Sequence, residues 1–354
     1  MDRVKYAIIG FGGIAENRIA KEGFCIDRSR FEEHPNAVLA GVTDLNKERK
    51  QAAESLGLKW YNSTEEILSD NSIEAVYIAT NNKSHAQLAV QAIQAGKHCI
   101  IEKPMATKIE DAERIQNAAA EYSRSVCVDH MMKLNTFNRL ARDRIKNETI
   151  GSINDITLHM EFSFGSLAGE AETWRCSDPS ELGGPIGDVA SHCLYMAEFL
   201  LGEKIASLQC IYLPESINID VENGAFVQLK FESGRTGSIR VSFSQPRGGL
   251  LGTLSNLGYE IYGSEGVLRG YGLLFQISGH DDEPVKLRLI EETSNGFEEL
   301  YPEKIQNIYQ SLIKEHAVSI RNGSRQTGGE GIRNLSQIIA CHNSAQEGGK
   351  VIEL

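Results

Sequence analysis

The tripeptide Glu102-Lys103-Pro104 combines residue types that suit proton and alkoxide chemistry. It directly follows the apolar run His98–Ile101, which predicts a buried strand. Open α/β sheets bind ligands at the carboxyl ends of their strands, so Lys103 is predicted to lie where a ligand binds. An ammonium group there can serve acid/base catalysis or stabilise an alkoxide. The alternative is a solvated lysine in a strand-to-helix turn.

A second pair of residues suited to proton transfer lies in the glycine-rich stretch 183–192. Asp188 and His192 are four residues apart, so on a helix they share one face. Histidine titrates near neutral pH and is a suitable general base, which a carboxylate can orient. The alternative is a capping aspartate and a hydrogen-bonded core histidine on an amphipathic helix.

A glycine-rich turn near the start of the chain predicts a dinucleotide-binding site. Residues 10–15 fit the pattern G-x-G-x-x-A between a strand and a helix. Gly10 would allow the tight turn, Gly12 the approach of a pyrophosphate, and Ala15 close helix–strand packing. The helix N-terminus then favours an anion. The residues of this turn predicted to contact the cofactor are Gly10, Gly12, Gly13, Ile14 and Ala15.

Asp44 follows the second predicted strand and suits the adenosine ribose of a dinucleotide. Its carboxylate can accept hydrogen bonds from both ribose hydroxyls and would repel a 2′-phosphate, which favours NAD over NADP. The alternative is an aspartate that caps the helix beginning near Asn46. Lys47 and Arg49 lie close in sequence and leave some room for NADP. The spacing from Gly10 to Asp44 exceeds about 20 residues, which indicates an insertion in 21–36.

The first 130 residues alternate strands and helices, which predicts parallel βαβ units and a doubly wound sheet. The predicted strands are 4–9, 37–43, 75–79, 98–101 and 125–129. The predicted helices are 13–21, 46–56, 84–95 and 109–122. The fold class is therefore α/β, with a nucleotide-binding domain over 1–130.

Residues 131–354 show longer, more alternating strands, typical of an antiparallel sheet. The predicted strands are 153–164, 205–212, 224–231, 236–244, 259–263, 266–268 and 350–354. The predicted helices are 135–146, 186–201 and 331–346. This region is predicted to form an α+β domain with a large, mainly antiparallel open sheet, which binds substrate and mediates oligomerisation.

Composition excludes several classes of protein. The chain has 354 residues, is 41% hydrophobic and carries a net charge of −12, which argues against binding to nucleic acid. No apolar run approaches the roughly 20 residues of a membrane span, and no signal peptide is evident. Seven scattered cysteines fit reduced thiols in the cytoplasm. Neither an HExxH motif nor a Cys/His cluster points to a metal site.

The turn at 10–15, Asp44, the Glu102-Lys103-Pro104 segment and the Asp188/His192 pair together resemble the Gfo/Idh/MocA oxidoreductase family. This family includes glucose–fructose oxidoreductase and inositol dehydrogenase. The resemblance covers nearly the whole chain and implies a Rossmann domain that binds NAD(P). It implies hydride transfer between nicotinamide and a secondary alcohol or ketone of a sugar, sugar phosphate or cyclitol. It also implies a cis peptide before Pro104.

The resemblance assigns roles to single residues. Lys103 would orient the reacting oxygen, His192 would be the general acid/base, and Asp188 would orient it. The further cofactor contacts would be Thr80, Asn81, His85, Glu102 and Lys103. The substrate contacts would be Lys133, Trp174, Arg175, Asp188 and His192. Asn81 and Asn82 replace the family's frequent prolines, and Tyr195 replaces a frequent acidic residue, so these contacts depart from the family pattern.

Two other functions remain open from the sequence. One is a glycosidase of the same fold that retains NAD, and the other is a cofactor-binding regulator without turnover. A homo-dimer or homo-tetramer is also predicted, because a broad sheet face has to be covered. The alternating apolar residues on which that expectation rests are Val227, Leu229, Ile239 and Val241.

Overall fold

The computed structural model describes residues 2–244, 256–280 and 287–354. The chain divides into two compact units. The first unit contains Met1–Met131, Ser278–His280 and Gln306–Leu335, and the second contains Met132–Ile277, Asp281–Ile305 and Ser336–Leu354. Within the described ranges, no helix is both long enough and apolar enough to cross a bilayer.

A six-stranded parallel sheet forms the centre of the first unit. Its strands are β1 (Val4–Ile9), β2 (Ala37–Thr43), β3 (Lys59–Trp60), β4 (Ala75–Ile78), β5 (His98–Ile101) and β6 (Val126–Val128). Their order is β3-β2-β1-β4-β5-β6, and every neighbouring pair is parallel. The order reverses between β1 and β4, which is the switch point of a doubly wound sheet. The predicted α/β fold class is confirmed.

Helices connect these strands. A π-helix, Ala15–Gly23, follows β1, and the later helices are α1 (Arg49–Ser55), α2 (Thr64–Ser69), α3 (Asn82–Gln94) and α4 (Ile109–Glu121). β4 is buried along its whole length, as expected for a strand covered on both faces. The buried strand β4 therefore holds the residues that follow its carboxyl end in a fixed place at the edge of the sheet.

A nine-stranded mixed sheet forms the centre of the second unit. Its strands are β7 (Ile153–Glu161), β8 (Ile205–Tyr212), β9 (Gly224–Phe231), β10 (Thr236–Ser242), β11 (Leu257–Gly263), β12 (Gly266–Tyr271), β13 (Arg288–Thr293), β14 (Gly296–Leu300) and β15 (Ile352–Glu353). The order is β14-β13-β12-β11-β7-β10-β9-β8-β15. Among the described pairings of this second sheet, β7 and β10 are parallel and the others are antiparallel, so the predicted mainly antiparallel sheet is confirmed.

The helices of the second unit include two consecutive pieces that the sequence predicted as one. The α-helices are α5 (Thr136–Lys146), α6 (Ala168–Ala171), α7 (Trp174–Ser177) and α8 (Ser191–Leu201). A π-helix, Ile186–Ala190, leads directly into α8, and 3-10 turns cover Met131–Leu134 and Pro179–Glu181. Most side chains of α8 are buried, which agrees with a sequence that is apolar on nearly all sides of the helix.

One face of the mixed sheet is already covered within the chain. Val227, Ile239 and Val241 are fully buried, and Leu229 is almost so. The expectation that these four side chains need a partner subunit to cover them was therefore wrong. The prediction of a homo-oligomer stands without their support.

The last two helices are α9 (Ile308–Asn322) and α10 (Gly329–Gln346). α9 belongs to the first unit, where the Tyr6 hydroxyl lies 2.8 Å from Nδ1 of His316. The end of the first π-helix also packs against α9, because Nε2 of Gln310 donates to the Glu22 carbonyl at 3.0 Å. The sequence prediction missed α9, although Asn307 caps its start and Gly323 ends it in a left-handed conformation.

Candidate functional site

The carboxyl edge of the parallel sheet gathers most of the predicted cofactor residues. Gly10 directly follows β1, Asp44 follows β2 and Glu102 follows β5. Thr80 lies two residues beyond β4, and Lys103 lies two beyond β5. Because all six strands are parallel, their carboxyl ends form one edge of the sheet. The sequence pattern therefore placed these residues on the correct edge.

The glycine turn has a geometry that other residues would not adopt. Gly10 has a φ of +90°, and a Cβ there would stand 2.7 Å from the carbonyl oxygen of Ala79. At Gly12 and Gly13 a Cβ would meet no atom within 4 Å. The backbone is thus open to the outside at the start of a helix, where the first N–H groups have no partner within the helix. This arrangement fits a dinucleotide pyrophosphate.

Asp44 fixes the turn and remains able to bind a ribose. Its Oδ2 accepts the Phe11 N–H at 2.6 Å, and its Oδ1 accepts the Asn46 N–H at 2.8 Å. The helix α1 begins at Arg49 with Glu48 as its N-cap, so Asp44 binds the turn before the helix and does not cap the helix itself. Each carboxylate oxygen has a second acceptor position, so these two bonds do not prevent hydrogen bonds from ribose hydroxyls.

Arg49, a residue that could have bound the 2′-phosphate of NADP, instead makes contacts within the protein. Its Nε donates to the Phe11 carbonyl at 2.7 Å, and its guanidinium pairs with Glu16. Lys21 also donates to Glu16, at 2.7 Å. The hydrogen bond from Lys21, together with the one from Arg49, lowers the pKa of Glu16. The Arg49 charge is consequently balanced by a carboxylate beside the turn.

His85 links two backbone segments at the same edge of the sheet. Its Nδ1 lies 2.9 Å from the Pro104 carbonyl and its Nε2 lies 3.3 Å from the Thr80 carbonyl. The ring is completely buried. The predicted cis peptide between Lys103 and Pro104 is present. His85 therefore ties the backbone next to Lys103 to the backbone after β4, and a direct contact with a cofactor stays a prediction.

A carboxylate that the sequence reasoning did not single out lies beside Lys103. Asp129 directly follows β6, is fully buried, and accepts a hydrogen bond from the Tyr77 hydroxyl. Burial, followed by the nearby Glu102 charge, raises the pKa of Asp129 well above its ordinary value. The rule that identified Asp44, an acidic residue directly after an apolar strand, would also have found Asp129.

Asp188 lies beside a cation in the second unit. Nε of Arg175 is 3.6 Å from Oδ1 of Asp188, and the Arg175 guanidinium stacks 4.4 Å from the ring centre of Trp174. Gly183 brings the Arg175 backbone close, since a Cβ at Gly183 would stand 2.4 Å from the Arg175 carbonyl oxygen. The glycine-rich stretch and the Trp174-Arg175 pair thus form one local structure, as the predicted substrate contacts require.

Glu222 holds the start of the helix that carries Asp188. Its Oε1 accepts the Ile186 N–H at 2.7 Å. A Cβ at Gly184, whose φ is +68°, would approach the Glu222 carboxylate to 2.6 Å. Burial raises the pKa of Glu222 to about 7. The contact joins residues 36 positions apart, so no local pattern could reveal it.

His192 is oriented by Tyr195. Nδ1 of His192 lies 2.8 Å from the Tyr195 hydroxyl, which also accepts the Met132 N–H at 3.3 Å. Both side chains are buried. The π-turns of Ile186–Ala190 precede this pair, and such turns are frequent at functional sites. Tyr195, noted in the sequence only as a departure, thus supports the imidazole.

Lys133 lies in the 3-10 turn Met131–Leu134 and is half-buried. Its carbonyl accepts a hydrogen bond from Arg139 at 3.3 Å. The structure thus collects Lys103 with the glycine turn in the first unit, and Asp188 with His192 on consecutive helical turns of the second. Across the residues that the structure describes, no group of three or more His, Cys, Asp or Glu side chains is arranged to hold a metal.

Comparison with known families matches the two parts of this chain to two domains of one family. Residues 4–130 match the NAD-binding Rossmann fold of an oxidoreductase family, and residues 142–354 match its C-terminal alpha/beta domain. The chain belongs to the Gfo/Idh/MocA oxidoreductase family. The resemblance inferred from the sequence is confirmed, and with it an NAD-binding Rossmann domain and an oxidoreductase family membership.

Individual members of the Gfo/Idh/MocA family are similar to this chain over most of its length. The 1,5-anhydro-D-fructose reductase of Ensifer adhaerens is 27% identical and covers 81% of each chain. The scyllo-inositol 2-dehydrogenase (NAD(+)) of Bacillus subtilis is 25% identical, covering 98% of this chain and 95% of its own. Aldose-aldose oxidoreductase from Caulobacter crescentus, solved with glycerol, has a TM-score of 0.84 at 21% identity and covers 100% of both chains, which shows the shared fold.

Proposed function

We propose that this protein is an NAD-dependent dehydrogenase that acts on a secondary alcohol or ketone of a sugar, sugar phosphate or cyclitol. The carrying observation is Lys103 at the sheet edge that also bears the glycine turn. Family membership and the names of its relatives, a sugar reductase and an inositol dehydrogenase, support the substrate class. This cytoplasmic enzyme would bind no nucleic acid and no membrane, and would form a homo-dimer or homo-tetramer.

The proposed chemistry divides between hydride and proton. Bound NAD would supply the acceptor for the hydride that leaves the carbinol carbon. Lys103 Nζ donates a hydrogen bond to the substrate oxygen and stabilises its developing negative charge. His192 receives the hydroxyl proton at Nε2, while the Tyr195 hydroxyl at Nδ1 holds the ring in place. Asp188, beside Arg175, supplies negative charge on the preceding turns of the same helical segment.

The test is the appearance of NADH absorbance with NAD and a panel of sugars, sugar phosphates and inositols. The expected result is turnover with at least one polyol that has a free ring secondary hydroxyl. Silence over the whole panel, from a protein that binds NAD tightly, would contradict the dehydrogenase. Release of an aglycone from glycosides would then favour an NAD-dependent glycosidase, and no turnover at all would favour a cofactor-binding regulator.

The cofactor preference is proposed to be NAD because Asp44 is fixed at the end of β2 by two backbone N–H groups. A 2′-phosphate next to this carboxylate would be repelled, and like charges brought together cost several kcal/mol. Arg49 gives little compensation because its charge pairs with Glu16. The proposed preference for NAD therefore rests on the negative charge of Asp44 and on the pairing of the positive charge of Arg49 with Glu16.

Replacing Asp44 with alanine is expected to lower the preference for NAD over NADP by about tenfold or more, since tenfold corresponds to about 1.4 kcal/mol. The measurement is the ratio of kcat/KM for the two cofactors. Affinity for NAD should fall too, because the turn loses its carboxylate contact with Phe11. The matched control is Glu54→Gln, which removes one exposed charge from α1, where Glu54 pairs only loosely with Lys50. A ratio that changes equally in both variants would contradict the role of Asp44.

A further inference from the structure

Tyr77, Glu102 and Asp129 form a polar cluster beside Lys103, in which Tyr77 and Asp129 are fully buried and Glu102 is half-buried. Tyr77 lies in β4, and Glu102 and Asp129 directly follow the adjacent strands β5 and β6. Glu102 N–H donates to the Ile78 carbonyl at 3.0 Å, and Asp129 N–H donates to the Ile101 carbonyl at 2.8 Å. The backbone of each acidic residue therefore extends the hydrogen bonding of the parallel sheet by one residue. Because both backbones are held in this way, the two side chains start from neighbouring positions at the sheet edge.

The two carboxyl oxygens of Asp129 differ in their hydrogen bonding. Oδ2 accepts the Tyr77 hydroxyl. Oδ1 is buried, and in the described part of the chain no N–H or O–H group donates to it. The β5–β6 register pairs Ile101 with Val128, so Glu102 and Asp129 lie opposite each other one residue further on, and a hydrogen bond with the Glu102 carboxyl is one cause of the raised pKa of Asp129. Two ionised carboxylates cannot hydrogen-bond to each other, so this contact requires a proton on one of them.

The charges around the pair favour that proton. Burial, then the Glu102 charge, raises the pKa of Asp129, and the opposing effects of the Tyr77 hydrogen bond and the Lys103 charge are smaller. Burial and the charges of Asp129, Glu102 and Tyr309 raise the pKa of Tyr77, so that hydroxyl stays neutral. Asp129 is fully buried, and two adjacent carboxyl groups do not both ionise readily when one lies at low dielectric, since like charges oppose each other.

We infer that Glu102 and Asp129 share one proton and act as a single acid pair, with one negative charge, that positions Lys103. The role toward Lys103 rests on the proposed function, whereas the shared proton does not. With one charge the pair attracts and orients the ammonium group. Loss of the shared proton would add a second charge and strengthen the hold on Lys103. The lysine would then be less available to a substrate oxygen.

Infrared difference spectroscopy of the whole protein at neutral pH tests the shared proton directly. A protonated buried carboxyl gives a carbonyl stretching band above the amide bands, which moves to lower frequency in D₂O. The band is expected in the unmodified protein and should disappear in Asp129→Asn and in Glu102→Gln. Tyr77→Phe should raise its frequency, because the acid pair loses a hydrogen-bond donor.

The matched control is Glu291→Gln. Glu291 is also buried, but Arg144 and Thr149 donate to its carboxylate, and the hydrogen bond from Arg144 lowers its pKa. Its loss should leave the band unchanged. The inference is overturned if the unmodified protein shows no such band, or if the band persists in Glu102→Gln. Should Asp129→Asn fail to fold, the unmodified protein and Glu102→Gln still decide.

The role toward Lys103 has a separate readout. Asp129→Asn leaves one fixed negative charge on Glu102, so the alkaline limb of the pH profile of kcat/KM should lose the contribution of the pair. A purely structural role would lower kcat/KM by one factor at every pH, and that result would overturn the positioning role. Infrared bands need neither cofactor nor substrate, so failure of the proposed dehydrogenase activity would leave the shared proton measurable.

Discussion

Replacing Lys103 with alanine is expected to lower kcat/KM for the oxidised polyol by about 10²–10⁴-fold, the usual range for loss of a positioned acid/base group. The ammonium group would no longer stabilise charge on the substrate oxygen. The glycine turn and Asp44 are untouched, so the Kd for NADH, measured by fluorescence titration, should change by less than about threefold, or about 0.65 kcal/mol. The effect is thus confined to the chemical step.

Lys108→Ala is the matched control for this substitution. Lys108 is an exposed lysine five residues further along the chain, at the N-cap of α4, where its side chain makes no capping hydrogen bond. Its loss should leave turnover unchanged. An unchanged turnover in Lys103→Ala would refute the catalytic assignment, and a parallel loss of NADH binding would show that Lys103 serves the cofactor instead.

The second large effect is expected at His192. His192→Asn should lower kcat/KM by about 10²–10³-fold, because the general base is lost. Tyr195→Phe should cost less, about fivefold, as one neutral hydrogen bond is worth about 1 kcal/mol. The pH profile separates the two variants: His192→Asn removes the inflection near neutral pH, whereas Tyr195→Phe retains it at a shifted position.

The chain offers a matched histidine–tyrosine pair as a control. Nδ1 of His342 lies 2.9 Å from the Tyr212 hydroxyl, as Nδ1 of His192 lies 2.8 Å from Tyr195. Burial lowers the pKa of His342 to about 4, so its ring is already neutral at pH 6 to 9. His342→Asn should therefore leave the neutral-pH inflection in place. If both histidine variants lost it, the inflection would reflect folding and not a general base.

Much of the first unit follows from local sequence. The apolar runs give β1, β2 and β5 with their observed ends, and the residues directly after them give Gly10, Asp44 and Glu102. A strand buried on both faces must be apolar throughout, so its ends are sharp in sequence. The strand order is a property of long-range pairing and had to come from the general topology of βαβ units.

Other features could not be read from local patterns. The π-helices Ala15–Gly23 and Ile186–Ala190 were predicted as ordinary helical turns, since the extra residue per turn depends on tertiary contacts. A Cβ at Gly187 would stand 1.8 Å from the Leu182 carbonyl oxygen, which shows how closely the chain approaches itself there. Glu222 reaches this segment from a distant loop. By contrast, α9 carried a readable amphipathic pattern and was simply missed.

The inclusion of α9 in the first unit has a consequence for biosynthesis. A ribosome completes β1–β6 long before residues 306–335 emerge, yet that later segment belongs to the same compact unit. Until then Tyr309 and Ile313, which approach Gly23 so closely that a Cβ there would stand 3.0 Å from each, are missing, and Tyr6 lacks its partner His316. The surface of the nascent sheet that α9 later covers therefore stays exposed during synthesis. A fragment that stops at Met131 would keep that surface exposed, so expression of the nucleotide-binding half alone should require residues 306–335 supplied in trans or by fusion.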